Sequence, residues 1–600
     1  MKIMRYCIPT MMSLLLLSCS EFLTEDMKTK MSADSHYMSE QGINDALEAA
    51  YTIPTSHWHG QLHYTLCTFG TDAHTHGADG DYHSFNHYDG GLNASSDAVE
   101  SPWETFYRTI NQANAVIGRA PSVEMDETLK LNLIGEARWL RAWTYFQVVR
   151  TWGDCHLTLE ETLFPEYTVN WVDQSEVYEA IIRDLHWVID SSRLTPVPYE
   201  TGRVTKTAAE ILLGHCYLRR AWMDFTPDKN ADLTSAELLL TAVINTPEYQ
   251  LENDVRQIWG LMDWPNSVDI EGSDASPEFI FAFQSNKDLQ FAGGDEQGHR
   301  GHLYFKMPYD LEAGMQRDMW NGRPWRRFSP TDFHLSRWDR ENDSRFDKLY
   351  KRVWYCNNPS SAPKWRQSDA DNGYCTTEQV GQAKYELGDT AFYFPGPGED
   401  ELWDADREAR SRFKVYQRED YTMTRYPELI KFYDPYKLEV NSKMGSRDQL
   451  VYRLAEAYLL RAEARYLLGN STGAAEDINV IRRRAAWKEG DVLNHKVFSN
   501  REAEMEISAG DVNMDLILDE RLREFDGENK RWFDLQRTGT LVERVRLYNK
   551  PYVKPEEYVN QIQDYHIFRP VPQSTIDAAA NSGEIDMQNP GYPSAASGQN

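Results

Sequence analysis

Three stretches of this chain repeat apolar side chains at intervals of three and four, the spacing that gathers them on one face of an α-helix. In the first, Leu129, Leu133, Ala137 and Leu140 share a face, the run continues through Gly135–Phe146, and Gly153 marks its end. The second opens at Thr207-Ala208-Ala209-Glu210 and runs on to Leu218; Thr207 and Glu210 have the spacing of a capping box, in which each side chain satisfies the other's free backbone donor. The third, Leu450 to Leu468, sets Val451, Leu454, Ala455, Tyr458, Ala462 and Tyr466 on one stripe. Large apolar residues alternate with alanines in these runs, so neighbouring helices can approach closely. Residues 52–105 and about 250–440 lose this periodicity and are rich in Gly, Pro, Asn, Asp and aromatic residues, with strand-like runs such as Phe279–Phe283. The pattern predicts a mostly α protein: helix pairs as scaffold, long irregular loops and a few short strands. Loops of that length inside a compact domain are usually functional.

The helix-pair texture resembles tetratricopeptide repeats, with copies spaced irregularly and far wider than the ~34 residues of a regular array. Of the 600 residues 41% are apolar and 26% charged, a globular balance. No low-complexity linker divides the chain, which reads as one intertwined unit. A net charge of −30 opposes binding to nucleic-acid phosphates and electrostatic adhesion to anionic lipid. Lys2 and Arg5 precede the short apolar run Ile8–Leu17 and then Ser18-Cys19, the layout of an export signal. Leu16-Leu17-Ser18-Cys19 also resembles the lipobox of bacterial lipoproteins, which makes residues 1–18 a signal peptide and Cys19 the acylated mature N-terminus. Nothing after Cys19 is apolar enough over ~20 residues to span a bilayer, so lipid is the expected anchor. Cys67, Cys155, Cys216, Cys356 and Cys375 remain, an odd number without a CxxC pair; Cys356 and Cys375 flank a loop-like stretch and could bridge.

Candidate chemistry concentrates in two places. Seven of the 16 histidines lie between His57 and His87, among Asp72, Asp79, Asp81 and Cys67. Imidazole and carboxylate are transition-metal ligands, yet no His-Glu-x-x-His pattern accompanies them, and the favoured reading is a polar, aromatic face with Trp58, His59, Asp72, His74 and Tyr82, suited to sugar hydroxyls. The second place is Trp320-Asn321-Gly322-Arg323-Pro324-Trp325. Sugar rings stack their C–H faces on indole, while Asn321 and Arg323 offer hydrogen bonds. Trp58, Trp264, Trp320 and Trp325 all sit among Gly, Pro, Asn and His, as exposed recognition residues would. The block Asp519, Glu520, Arg521, Arg523, Glu524, Arg531, Asp534 reads as structural ion pairing, Asp519 with Arg523 one helical turn apart. Asp369-Ala370-Asp371-Asn372-Gly373 lacks the glycine offset and downstream glutamate of an EF-hand and is expected to be a solvated turn, with no resident calcium or other cofactor.

Several motifs in order carry a family resemblance. They are Val149-Arg150-Thr151-Trp152-Gly153-Asp154 after the first helix, Gly202-Arg203-Val204-Thr205-Lys206 before the second, Tyr452–Ala457, and Ile478–Ala485. The most specific is Ile517–Glu524 continuing to Arg531-Trp532-Phe533-Asp534-Leu535-Gln536-Arg537-Thr538-Gly539, followed by Arg569-Pro570-Val571-Pro572 and Gln588–Tyr592. On these the chain resembles the SusD/RagB family of surface glycan-binding lipoproteins nearly end to end. It departs at Gly527-Glu528-Asn529, where the family pattern has Phe-Glu-Gly; a left-handed turn there can still form with Asn529. The resemblance implies a SusD-like fold over residues 19–600 (an N-terminal part of about 19–300 and a C-terminal RagB/SusD part of about 301–600). It also implies an extracellular, lipid-tied position on the outer membrane, a SusC-like TonB-dependent transporter as partner, a glycan as ligand and no catalysis. In the family the early loop often contributes to the glycan site, and Asp72 occupies a matching place. A surface glycoside hydrolase is the rival reading, requiring two carboxylates roughly 5–10 Å apart; a third keeps the family role with a peptide or another nutrient as cargo.

Overall fold

A computed structural model describes residues 36–593 apart from 287, 289–297, 400–406, 408–409 and 494–495. The signal segment and Cys19 lie outside the described residues. The scaffold is a succession of helices, each packed on the next: α1 (Glu40–Thr55), α2 (Asp97–Arg119), α3 (Glu127–Trp152), α4 (Gln174–Ser191), α5 (Lys206–Arg220), α6 (Lys229–Ile244), α7 (Leu454–Leu467) and α8 (Ser471–Ala485). This is the expected mostly α fold with helix-pair packing. From Leu133 to Trp152 every residue of α3 except Arg138 is buried, so the helix is enclosed on all sides and its charged groups find partners in the interior. Glu136 accepts hydrogen bonds from Tyr51 (2.5 Å) and Tyr199 (2.6 Å), and burial pushes its carboxyl up to about 6. Arg141 pairs with Asp184 at 2.7 Å. Gly153 ends α3 with φ +80°, as its position predicted.

Two helix boundaries differ from the sequence reading. Thr205, not Thr207, caps α5, accepting from the Ala208 N–H at 3.0 Å; Thr207 lies inside the helix and is buried. The third periodic run does not begin as helix. Gln449–Arg453 is strand β4, paired antiparallel with β2 (Phe279–Phe283), and α7 starts only at Leu454. Val451 and Tyr452 favour extended backbone once a partner strand is present, and that partner comes from a segment far away in the chain. One apolar core runs from Ile43 to Tyr592 and ties the long loops to the scaffold. Cys356 and Cys375 are free thiols, so the bridge considered from their spacing is not formed. Asp369 sits in an exposed turn of helix, Gln367–Asp371, and accepts from the Arg366 N–H, as a solvated turn would.

The C-terminal motif forms α9 (Met514–Phe525) and α10 (Arg531–Arg537), joined by a tight turn. Gly527 has φ +76°, and a Cβ there would lie 2.7 Å from Leu429 and 2.8 Å from Phe432, so no other residue fits. Asn529 takes φ +59°, the left-handed conformation expected for it. The charged block is structural, but with different partners: Arg523 bonds Glu520 (2.7 Å), while Asp519 pairs with Arg544 (2.8 Å). Around it lies a buried network. Glu524 meets Arg345 (3.0 Å), Arg453 (2.7 Å) and Arg484; Arg453 reaches Glu278 (2.6 Å) and Glu528 (2.9 Å); Glu528 also meets Lys431 (2.9 Å). These residues come from segments as distant as 278 and 528, so the motif clamps strands, loops and helices together.

Candidate ligand-binding site

Most of the early histidine-rich segment is core. Trp58 is 4% exposed, sits edge-on to Trp143 at 5.1 Å and donates from Nε1 to the Leu450 carbonyl at 3.0 Å. His59 is stacked on His299; its Nε2–H donates to the same carbonyl and its Nδ1 accepts from the Tyr64 hydroxyl, each at 3.0 Å. Burial lowers the His59 pKa to about 4 and keeps it neutral. Asp72, fully buried, holds Arg531 at 2.7 and 2.6 Å and Arg544 at 3.1 Å. His74 lies on β1 (His74–His76), paired with β3 (Phe328–Pro330), and its Nε2 is 2.6 Å from Asp526. Trp58, His59, Asp72 and His74 therefore do not face solvent, contrary to the expectation of a glycan-contacting face. The Trp58 ring instead fills the core, and the buried Asp72 charge is compensated by two guanidinium groups.

Donor atoms of His74, His334 and Asp526 lie within 4.8 Å of one another, a grouping the sequence does not reveal. Hydrogen bonds already use the Asp526 carboxylate: Tyr350 donates to it at 2.5 Å beside His74. His334 Nδ1 lies 3.2 Å from the Ala73 carbonyl.

Of the early-loop candidates Trp58, His59, Asp72, His74 and Tyr82, Tyr82 stays half-exposed. Its backbone is left-handed (φ 59°), its hydroxyl donates to Asp97 at 2.7 Å, and the Arg327 guanidinium lies 5.6 Å from its ring. Arg327 also pairs with Asp79 at 3.2 Å, which brings the early loop against residues 320–327. That segment contributes to two hollows. Arg323, Trp325 and Arg326 line a cleft of about 320 Å³ with Gln61, Asp79 and Asp310. Trp320 and Asn321 line a larger hollow of about 530 Å³ with Trp264, Lys351 and Tyr355.

The two tryptophans hence serve different cavities instead of bracketing one sugar. Trp320 stacks on Trp264 at 5.6 Å and 25°, and both rings line the hollow. Asn321 is buried and saturated: its Oδ1 accepts from Lys351 at 2.5 Å and its Nδ2 donates to Asp318 at 3.0 Å, so it is a wall and not a sugar contact. Arg323 lies 5.4 Å from the Trp325 ring centre. Sequence reasoning missed Arg326 and Arg327 in the same run; a cluster of arginines in so acidic a chain was the available signal.

A family model described as "SusD family" matches residues 277–592, and one described as "Starch-binding associating with outer membrane" matches residues 21–218. SusD-like protein P25 of Formosa agariphila is 23% identical, aligned over 96% of this chain and 97% of its own. Among solved structures, a laminarin-binding SusD-like protein superposes with a TM-score of 0.60 at 20% identity, covering 92% of this chain and 100% of that one. Surface glycan-binding protein A from Bacteroides fluxus superposes with a TM-score of 0.61 at 16% identity, covering 92% and 99%. No helix among the described residues is long and apolar enough to cross a membrane. The chain belongs to the SusD/RagB family of non-catalytic, glycan-binding proteins of the outer-membrane surface, which work with a SusC-like TonB-dependent transporter.

Proposed function

We propose that the cleft beside Trp325 is where this protein holds its glycan. The observation that carries the reading is the meeting, at one opening, of an indole ring with planar hydrogen-bonding groups from two distant segments: Gln61 and Asp79 from the early loop, Asp310 and Arg323 from the later one. Indole takes the apolar face of a pyranose, and carboxylate, amide and guanidinium groups pair with its hydroxyls. The Trp264–Trp320 hollow extends the surface for further units of a chain, and several weak contacts to one polymer then act in concert. Trp325→Ala should weaken oligosaccharide binding by about tenfold or more, as loss of an aromatic anchor does, with some fall in melting temperature because the ring also packs on Tyr304 and the core. Titration calorimetry checks it; unchanged affinity in a folded variant would move the site elsewhere.

The chain acts as one unit from residue 19 onward in this reading, with Cys19 as its lipid attachment. Two or more acyl chains anchor stably, at about 0.8 kcal/mol per buried methylene. Cys19→Ala is expected to shift the protein from the membrane to the soluble fraction on ultracentrifugation; full retention in the pellet would refute the anchor.

A further inference from the structure

Both hollows beside residues 320–327 have cations that form no close ion pair among the described residues, although Glu428, Asp318 and Asp434 act on the lysines from further away. In the smaller cleft Arg317 pairs with Asp310 at 2.8 Å and Arg327 with Asp79. Besides the Trp325 ring, Arg323 reaches the Asn441 carbonyl, at 3.4 Å, and the Arg326 Nε is buried without a hydrogen-bond partner. Arg326 also adopts a left-handed backbone (φ 55°), a conformation that a long side chain keeps only when its surroundings hold it there. In the larger hollow Arg256 pairs with Asp254 (2.8 Å) and Arg352 with Asp347. Lys351 instead donates to an amide, Asn321 Oδ1. Behind it lie Lys306 and Lys437, both buried, and the Lys437 Nζ has no hydrogen-bond partner.

The acids nearest these lysines are otherwise engaged. Asp318 accepts from the Asn321 amides, Asp434 from Ser446 and Tyr436, and Glu428 from the Met307 N–H. Among the described residues none of Arg323, Arg326, Lys306, Lys351 and Lys437 has a carboxylate within 4.0 Å. Burial is costly for a cation that lacks a close partner, and it lowers Lys351 and Lys437 to about 8 even though Glu428, Asp434 and Asp318 oppose the shift. Because screening confines fields to about 8 Å in physiological salt, the chain's overall negative charge does not cancel this local excess.

We propose that the cargo is an anionic glycan, whose carboxylate or sulfate groups complete the charge pairing of Arg323, Arg326 and Lys351. A planar carboxylate or a sulfate oxygen pair suits the guanidinium fork, which a hydroxyl matches less well. This rests on the reading that residues 320–327 face the glycan, and it adds the chemical class. Calorimetry would compare a galacturonate hexamer and a glucuronate-bearing xylan fragment with a sulfated galactan fragment, against maltohexaose and laminarihexaose as neutral probes. At least one acidic probe should bind about tenfold tighter than every neutral one and weaken on going from about 50 to 300 mM NaCl. The double variant Arg323→Gln, Arg326→Gln should lose about tenfold for that probe, the range for charge-assisted hydrogen bonds; both side chains are partly exposed, so its fold is retained. Binding in the uronate arm alone identifies carboxylate, in the sulfated arm alone sulfate ester. Equal or tighter binding of a neutral probe, or acidic binding indifferent to the double variant, overturns the proposal while the site beside Trp325 stands. Silence from every probe overturns both.

Discussion

Glu524→Gln should remove about 3–5 kcal/mol of stability, the cost of breaking a buried ion pair and leaving its partners uncompensated. Three guanidinium groups, from Arg345, Arg453 and Arg484, converge on this one carboxylate, and its backbone carbonyl accepts from Lys431 at 2.8 Å. An amide keeps the shape but turns two donors toward a nest of donors. Urea denaturation followed by circular dichroism would report the loss. Glu557→Gln provides the contrast: its pair with Lys554 is about two-thirds exposed at both ends, and its removal should change stability by less than about 0.5 kcal/mol. A Glu524 effect as small as that one would mean the network contributes nothing net.

The same network sets an acid limit. Burial alone would raise the Glu524 carboxyl, but Arg484, Arg453 and Arg345 hold it well below its ordinary value of 4.5. Its folded-state pKa is thus depressed relative to the unfolded chain. The associated stability is fully present above pH 4.5 and is lost as the pH falls below that value. Wild-type stability should therefore decline more steeply than that of Glu524→Gln between about pH 4.5 and pH 3.

Asp72→Asn should also cost about 3–5 kcal/mol, because one buried carboxylate accepts two hydrogen bonds from Arg531 and forms an ion pair with Arg544. It ties the early loop to the C-terminal motif across 459 positions. Glycan affinity, measured where the variant is still folded, should stay within about twofold. A variant of normal stability with abolished binding would restore Asp72 to the ligand site that family position suggested.

The early loop shows why local texture misled. Trp58 and Trp325 stand in similar surroundings of Gly, Pro, Asn and His, yet one is packed on Trp143 and the other borders a cleft. Whether a ring is covered depends on which remote segment folds over it, here β4, whose Leu450 carbonyl receives the Trp58 and His59 donors. The same strand was read as helix, since its apolar spacing suits either state until Phe279–Phe283 pairs with it. The left-handed Asn529 and the end of α3 at Gly153 were legible because backbone sterics at those residues are local.

By itself the sequence determined the family, the helix-pair scaffold and the structural nature of the charged block, all properties written in short-range spacing and motif order, and it offered residues 320–325 as a candidate ligand segment. Only the tertiary structure decided that Trp58, His59, Asp72 and His74 are interior, that Trp320 and Trp325 serve separate hollows, and that Arg326 joins them. Burial and charge pairing are sums over neighbours brought from hundreds of residues away, and no local pattern encodes those sums.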